Sequence, residues 1–264
     1  YRMGSARRNT LYATVSKGYK AGGFNTQMFS DVLQQQVMKQ MGFGSLYDVA
    51  DVVTYKPEKS WNYEVGAHLS TPSHKVQADL ALFYIDCRDQ QLTVFPEGQV
   101  TGRLMTNAGR TRSFGGEASL LATLWRNLDL QVAYGYTRAT FVKFDTGKAD
   151  YAGNFIPYAP QHTLYAGASY TLRTGWNWLE YVIFRVAANG AGRIYWNEAN
   201  TFSQPFYALL EASIRFEHRH WAVDVWGRNL TDTRYDTFYF MSIGNSFLQR
   251  GRPRTFGVSL SITL

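Results

Sequence analysis

The chain ends in a segment whose apolar residues occupy every second position. These apolar residues are Phe256, Val258, Leu260, Ile262 and Leu264, and the positions between them carry Gly, Ser, Ser and Thr. Since successive side chains of a strand point to opposite faces, the period of two predicts a strand with one apolar and one polar face. The same alternation recurs roughly ten times along the chain, which favours a barrel wall in a bilayer over a soluble sandwich.

The segments that carry this pattern predict about ten strands, most of them as long as the ~9–11 residues that cross hydrocarbon at a tilt. They are 11–18, 60–70, 75–88, 107–125, 128–144, 161–172, 176–187, 205–216, 221–229 and 253–264. In 205–216, for example, Phe206 and Leu210 share one face while Glu211 lies on the other. The segment 176–187 is the exception, because Glu180 and Arg185 fall on opposite faces, and its facing stays open.

The connections between these strands alternate between short and long. Short turns are predicted at 72–73, 126–127, 173–175 and 217–220, and long connections at 19–59, 89–106, 145–160, 188–204 and 230–252. Outer-membrane barrels have short periplasmic turns and long extracellular loops, so the pattern predicts a periplasmic C-terminus. Four tryptophans near the short turns predict an interfacial girdle, namely Trp125, Trp176, Trp178 and Trp221. Helical spacing over 30–41 predicts a short helix at the extracellular rim.

Composition narrows the class of protein further. The chain has 264 residues, 16% of them aromatic, and no apolar run near the ~18–20 residues of a membrane helix, so any crossing is made by strands. The single Cys87 excludes an internal disulfide. The net charge is +7, but the arginines are scattered over strand ends and loops, which argues against nucleic acid and suits a lumen and lipopolysaccharide. His218 and His220 have metal-ligand spacing but no evident third ligand.

Several motifs, in order along the chain, resemble one family. They are LYATVSKGYKAGGFN at 11–25, YKPEKSWNYEVG at 55–66, NAG at 107–109 with GE at 116–117, GRNLTD at 227–232 with Tyr235, and GRPRTFGV at 251–258. Together they resemble the C-terminal part of a TonB-dependent outer-membrane receptor. The resemblance implies an all-β fold, a transmembrane antiparallel up-and-down β-barrel. This chain would supply about ten C-terminal strands of a roughly 22-stranded barrel.

The same resemblance implies what the chain works with. Residues 1–264 would form a single partial barrel domain, with the plug absent from this chain. The remaining strands and the plug would come from another chain or a missing segment. TonB would act through that plug to import an extracellular small ligand across the outer membrane, without a cofactor and without enzymatic chemistry. A ferric siderophore is the first expectation, with haem, cobalamin, oligosaccharides or peptides as alternatives.

Candidate ligand-binding residues lie in two of the long loops. They are Arg193, Tyr195, Trp196 and Asn197 in the first, and Tyr239 and Phe240 in the second, near Tyr235 and Phe238. Aromatic rings beside an arginine suit a flat anionic complex, a glycan or an aromatic ligand. The alternative is that these rings pack the loops together.

Two other classes of protein stay open at this point. One is a complete small outer-membrane hydrolase, with His162 and the loop carboxylates Asp145 and Asp150 as its acid/His site. The other is a passive porin or an adhesin.

Overall fold

The computed structural model of the chain describes residues 2–3, 9–25, 37, 40–42, 53–94, 104–146, 149–242 and 245–263. The strands within these residues are β1 (Arg2–Met3), β2 (Asn9–Lys20), β3 (Gly23–Phe24), β4 (Thr54–Tyr55), β5 (Glu58–Ser70), β6 (Val76–Val94), β7 (Leu104–Trp125), β8 (Leu128–Lys143), β9 (His162–Trp176), β10 (Leu179–Ala191), β11 (Ile194–Tyr195), β12 (Ser203–Gln204), β13 (Tyr207–His218), β14 (Trp221–Arg228), β15 (Asp236–Ser242), β16 (Asn245–Arg250) and β17 (Thr255–Ile262). Most of the helix predicted at 30–41 lies outside the described residues. Among the described residues, no helix has the length and apolar character needed to cross a membrane.

The long strands form one antiparallel sheet. Its order is β1-β2-β5-β6-β7-β8-β9-β10-β13-β14-β17, so long strands that follow each other along the chain are paired. The short ribbons β3/β4, β11/β12 and β15/β16 lie within the long connections. All ten predicted strands are present, and the up-and-down arrangement expected for a barrel wall is confirmed. The sheet is open, with β1 and β17 at its two edges.

One face of this sheet is apolar and exposed. In β17 the side chains of Phe256, Val258, Leu260 and Ile262 are 65–70% exposed, although they are large and apolar. Strand register places Val225, Ile214 and Phe184 in the same cross-strand row as Val258. A continuous apolar face of this kind is stable only against hydrocarbon, so it is the lipid-facing side of the wall.

The opposite face is polar, and it includes the residue whose facing the sequence leaves open. Arg185 pairs with Ser169 on one side and Ser213 on the other, so it points to the polar face. Next to the turn, the pairs Leu179–Trp176 and Tyr181–Arg173 leave Glu180 alone opposite Thr174 and Gly175, so the bulge and its extra residue lie in β9. Alternation in β10 is unbroken, and Glu180 lies beside the short turn at the end of the strand. The whole of β10 therefore fits the same wall as its neighbours.

The short turns lie together at one end of the sheet, as predicted, but the third turn is displaced. It is predicted at 173–175, and the structure places it at Asn177 and Trp178. The Thr174 hydroxyl bonds to the Leu179 carbonyl and accepts the Trp176 amide at 3.1 Å, while Gly175 takes a positive φ of 75°. These bonds prolong β9 to Trp176. The exposed rings of Trp176 and Trp178 then stack at 5.3 Å beside the turn.

At the opposite end, the connection 145–160 folds back on the top of β8. The Phe141 amide donates to the Asn154 carbonyl at 2.9 Å, and the Ile156 amide donates to the Ala139 carbonyl at 3.0 Å. This pairing covers the edge of β8 that extends beyond β9. Phe141, 1% exposed, packs there with Phe144 and Ile156 in a small apolar core. The long loops at this end are thus built on a fixed base.

Candidate functional site

The candidate site lies where three long connections meet at the long-loop end of the sheet. They are 145–160, 192–206 and 229–254, and aromatic side chains join them. We call this group the loop aromatic cluster; its members are Tyr158, Trp196, Phe202, Phe238, Tyr239, Phe240 and Phe247. Since each of these connections starts from a paired strand, the cluster is held at the long-loop end of the wall.

The second connection is shaped by Asn197. The Asn197 Oδ1 atom accepts the Thr201 amide at 3.0 Å, and its Nδ2 donates to the Thr201 hydroxyl at 2.7 Å. Side-chain bonds of this type replace backbone bonds in tight turns. Asn200, at a positive φ of 57°, ties the same turn to the first connection by exchanging hydrogen bonds with the backbone of Phe155 at 2.7 and 2.9 Å. Asn197 is therefore a structural residue of this turn.

Tyr158 connects all three loops. Its ring lies 5.4 Å from the Trp196 ring and 5.5 Å from the Phe238 ring, and its hydroxyl donates to the Tyr239 carbonyl at 2.9 Å. Trp196 is 7% exposed and Tyr239 is 8% exposed, and the Tyr239 ring stacks on Phe202 at 4.7 Å. These two predicted ligand-binding side chains thus lie inside the packing between loops.

The other predicted side chains have more accessible surface. Arg193 is exposed, and Tyr195 is half-buried with its ring stacked at 5.4 Å on Phe155. Phe240, also half-buried, stacks on Phe247 at 4.9 Å. The structure therefore brings all six predicted residues to one end of the wall. It places Trp196 and Tyr239 among the packing residues, and ligand contact by any of the six residues stays a prediction.

A carboxylate lies beside this aromatic packing. Burial raises the pKa of Glu198 above its ordinary value, since a charged carboxylate is poorly solvated there. Burial, followed by the nearby Glu198 charge, raises the pKa of the Tyr158 hydroxyl to about 12. Tyr158 is thus neutral across physiological pH and keeps its proton for the bond to Tyr239. Protonation of Glu198 would remove an unfavourable charge from the loop packing.

Several amide side chains, two of them in the quoted motifs, bind partners that the sequence does not reveal. Asn25 exchanges two hydrogen bonds with the backbone of Met105, each 2.8 Å long. Asn107 accepts the Lys56 amide at 2.7 Å, and Gln91 donates to the Lys56 carbonyl at 3.1 Å. These amide side chains fasten the first long connection to β6 and β7. The motifs are visible in the sequence, but their partners lie up to 80 positions away.

A second motif, GRNLTD, fixes the last connection. Asn229 is 5% exposed and has a positive φ of 49°. Its Nδ2 donates to the carbonyls of Thr233 and Arg252 at 3.0 and 3.1 Å, and its Oδ1 accepts the Thr233 amide at 2.9 Å. Asp232 adds a bond from the Arg254 amide at 3.0 Å. These bonds hold the two ends of the connection together at the base of the ribbon β15/β16.

The polar face below the cluster carries paired charges. The Arg215 Nε contacts Glu217 Oε2 at 2.7 Å, and its Nη1 contacts Asp224 Oδ2 at 2.6 Å. A concavity of about 520 Å³ lies nearby on this face, with Arg185 and Glu211 among its lining residues. Such charges are costly against lipid, so this side of the wall faces water or a polar domain.

The residues of the rival hydrolase site have other partners. The His162 ring nitrogen Nδ1 lies 2.7 Å from the Tyr134 hydroxyl, and Asp145 and Asp150 face each other in a backbone bridge. His218 and His220 have ring centroids 6.0 Å apart, and His218 Nε2 lies 3.1 Å from the Asn177 carbonyl. In the described part of the chain, no group of three or more His, Cys, Asp or Glu is arranged to hold a metal ion.

Comparison with known proteins identifies the family. The family model described as TonB dependent receptor-like, beta-barrel matches residues 7–230, which is most of the chain. The chain belongs to the TonB-dependent receptor β-barrel family. Its apolar face is therefore part of an outer-membrane wall, and the long-loop end of this receptor chain is extracellular.

Relatives of the receptor chain are similar over nearly its whole length. The pesticin receptors of Yersinia pestis and Yersinia enterocolitica are each 27% identical over 258 residues, which cover 96% of this chain and 33% of those proteins. Among solved structures, the ferric yersiniabactin uptake receptor FyuA of Yersinia pestis superposes with a TM-score of 0.76 at 23% identity, covering 99% of this chain and 36% of that one. BauA, the ferric preacinetobactin receptor of Acinetobacter baumannii, gives 0.66 at 17% identity, covering 98% and 35%. The receptor chain spans about a third of these relatives.

Proposed function

We propose that this chain forms part of the wall and the extracellular loops of an outer-membrane receptor that imports a ferric siderophore with energy from TonB. The loop aromatic cluster, at the extracellular end of a wall with one polar face in a chain of this family, carries the proposal. The similarity to the solved receptors for ferric yersiniabactin and ferric preacinetobactin supports a siderophore as the ligand.

The remaining parts of the receptor would come from outside this chain. The edges at β1 and β17 expose backbone groups, which in lipid must pair with further strands. A plug would occupy the polar side of the wall and transmit the action of TonB. No covalent step is needed, because import requires only that ligand-loaded and open states differ in their affinity for the ligand.

In this proposal the exposed side chains of the loops make the first contact with the ligand. Arg193 would attract an anionic ferric complex, and the rings of Tyr195 and Phe240 would offer flat apolar surface. Trp196 and Tyr239 would act indirectly by holding the loops in place, since their rings are covered by Tyr158 and Phe202.

The test uses the complete receptor in iron-starved cells and measures uptake of ⁵⁵Fe supplied on a panel of purified siderophores. The expected result is uptake of at least one ferric siderophore, lost when TonB is deleted. Replacing Arg193 by Gln and Tyr195 by Ala together should weaken binding of that siderophore by about tenfold or more, as loss of two direct contacts does. The matched control is Trp178→Ala, an exposed ring at the short-turn end. Uptake that persists without TonB would contradict the proposal and favour a passive pore.

A further inference from the structure

A polar pocket lies at the short-turn end of the wall, between two neighbouring turns. One turn joins β9 to β10, and the other joins β13 to β14. The pocket has a volume of about 510 Å³, and Arg173, Glu180 and Arg219 are among its lining residues. We call it the turn pocket. It lies at the end of the wall opposite the loop aromatic cluster, so it takes no part in the proposed contacts with the nutrient.

The two turns that form the pocket are fixed to each other. The pair Trp176–Leu179 closes the first turn, and the second is closed by the pair His218–Trp221. The His218 Nε2 atom of the second turn donates to the Asn177 carbonyl of the first at 3.1 Å. Because this bond joins the turns directly, the turn pocket is preformed.

Two arginines of the turn pocket have no partner in the described part of the chain. Arg173 and Arg219 are exposed, and neither side chain makes an ion pair or hydrogen bond there. Arg173 pairs with Tyr181, which pairs with Glu217, so their strands β9 and β13 are two strand spacings, about 10 Å, apart. Glu217 already contacts Arg215 at 2.7 Å. Since arginine side chains are long and carry several N–H donors, both can reach one oxyanion, such as a phosphate, between the turns.

The turn pocket also contains a carboxylate, which a site for phosphate alone would not need. Glu180 is half-buried, and it makes no ion pair with any residue that the structure describes. The exposed ring of Trp176 lines the same pocket and stacks on Trp178 at 5.3 Å. A carboxylate and an aromatic face suit an ammonium group. The lining therefore fits a ligand that carries a phosphate and an amine together.

The position of the turn pocket indicates which kind of molecule brings these two groups. The short turns of an outer-membrane barrel face the periplasm. Trp176 and Trp178 are 56% and 63% exposed, and tryptophan rings in such positions lie at the level of the lipid headgroups. Alternation in β10 places Glu180 on the same face as Phe184, which is the lipid-facing side. The turn pocket is thus open at the height of the headgroups of the periplasmic leaflet.

We propose that the turn pocket binds the headgroup of an aminophospholipid of the periplasmic leaflet. Arg173 and Arg219 hold its phosphate, and Glu180 holds its amine beside the Trp176 ring. The site fixes one lipid molecule against the turns of β9–β14. The proposal rests on the outer-membrane location of the receptor and not on the identity of the imported nutrient.

The test purifies the complete receptor in mild detergent and lets equal amounts of phosphatidylethanolamine and phosphatidylglycerol compete for it, with native mass spectrometry as the readout. Both lipids carry the phosphate, but only phosphatidylethanolamine carries the amine. The unmodified receptor should bind phosphatidylethanolamine about threefold more tightly, which is the effect of one accessible ion pair.

The phosphate contacts are tested with R173Q/R219Q. Each cation near a membrane surface contributes about fivefold to lipid binding, so this variant should bind both lipids about tenfold more weakly or worse. The matched control, K75Q/R126Q, removes the same charge from exposed residues at the other short turns and should leave binding unchanged. Equal lipid binding by these two variants would overturn the proposal.

The amine contact is tested with E180Q, which should abolish the preference for phosphatidylethanolamine without weakening the binding of phosphatidylglycerol. E180D keeps the carboxylate and should keep the preference. An E180Q receptor that still prefers phosphatidylethanolamine would refute the assigned amine contact. Millimolar phosphoethanolamine, which has the charged groups without acyl chains, should not displace the lipid. Its displacement of the lipid would assign the turn pocket to a soluble solute and overturn the lipid site.

Two readouts separate this proposal from a folding defect and from nutrient import. R173Q/R219Q should keep the heat-modifiable gel mobility of a folded barrel, because neither side chain has a partner within the described wall. Siderophore binding is measured on the same variant and should not change. Loss of siderophore binding with unchanged lipid binding would overturn the lipid site. Failure of every siderophore to be imported would leave the lipid result unaffected.

Discussion

Asn229 gives the sharpest quantitative prediction, because one small side chain holds the two ends of the last extracellular connection. In Asn229→Ala, the three hydrogen bonds to Thr233 and Arg252 are lost, and the backbone groups of these two residues lose that partner. At about 1 kcal/mol for each bond, the loss is about 3 kcal/mol. An alanine also tolerates the positive φ of 49° poorly, at a cost of about 1 kcal/mol.

The two contributions can be separated experimentally. Asn229→Gly loses the same bonds without the backbone cost, so it should destabilise the connection by about 3 kcal/mol where Asn229→Ala costs about 4. Each 1.4 kcal/mol is a tenfold change in the population of the opened loop. Opening should therefore rise about a hundredfold or more in the glycine variant and about a thousandfold in the alanine variant.

Hydrogen exchange on the complete receptor in nanodiscs measures this opening. The amides of Leu230 and Gly251 report it, since they donate to the Leu210 and Tyr235 carbonyls at 2.8 Å and do not contact the altered side chain. Thr231→Ala, at an exposed position in the same loop, is the control and should change exchange by less than about threefold. If both Asn229 variants exchange like the control, the side chain does not hold the connection and the reasoning is refuted.

Three other outcomes are expected. The pKa of Glu198 is raised in the folded loop, so the loop should become more stable as pH falls from the raised pKa towards the ordinary carboxylate pKa, and less stable as pH rises through the raised pKa. Hydrogen exchange measured against pH checks this expectation. Glu198→Gln should abolish the pH dependence. Phe141→Ala should cost about 3–5 kcal/mol and accelerate exchange across 139–156, with exposed Val142→Ala as its control. Gly257→Val should impair barrel assembly, scored by heat-modifiable mobility, because a Cβ there would lie 2.2 Å from the Trp226 ring; normal assembly would contradict that clash.

The wall could be predicted from the sequence because its information is local. Within each strand, the period of two shows which side chains share a face. The large exposed residues of β17 follow that period from Phe256 to Ile262. The exceptions have local causes that simple alternation does not contain. Thr174 and Gly175 prolong β9, form its bulge opposite Glu180 and move a turn.

For the loops, only their positions along the chain could be predicted from the sequence, and the contacts of their side chains could not. The sequence places the aromatic residues at the long-loop end of the wall, as the structure does. It does not distinguish Trp196, which is packed between loops, from Arg193, which is exposed. That difference arises from Tyr158, a residue of another connection. The roles of Asn25 and Asn229 were missed for the same reason, since an amide side chain acquires its function from distant backbone groups.

The unequal strand lengths give the receptor an uneven outer rim. Strands β6 and β7 contain 19 and 22 residues, whereas β14 and β17 contain 8 each. Since roughly 9–11 residues cross the hydrocarbon, about half of the β6–β7 hairpin projects into the surroundings of the cell. This part of the hairpin is therefore open to large molecules outside the cell, such as a phage tail or an antibody.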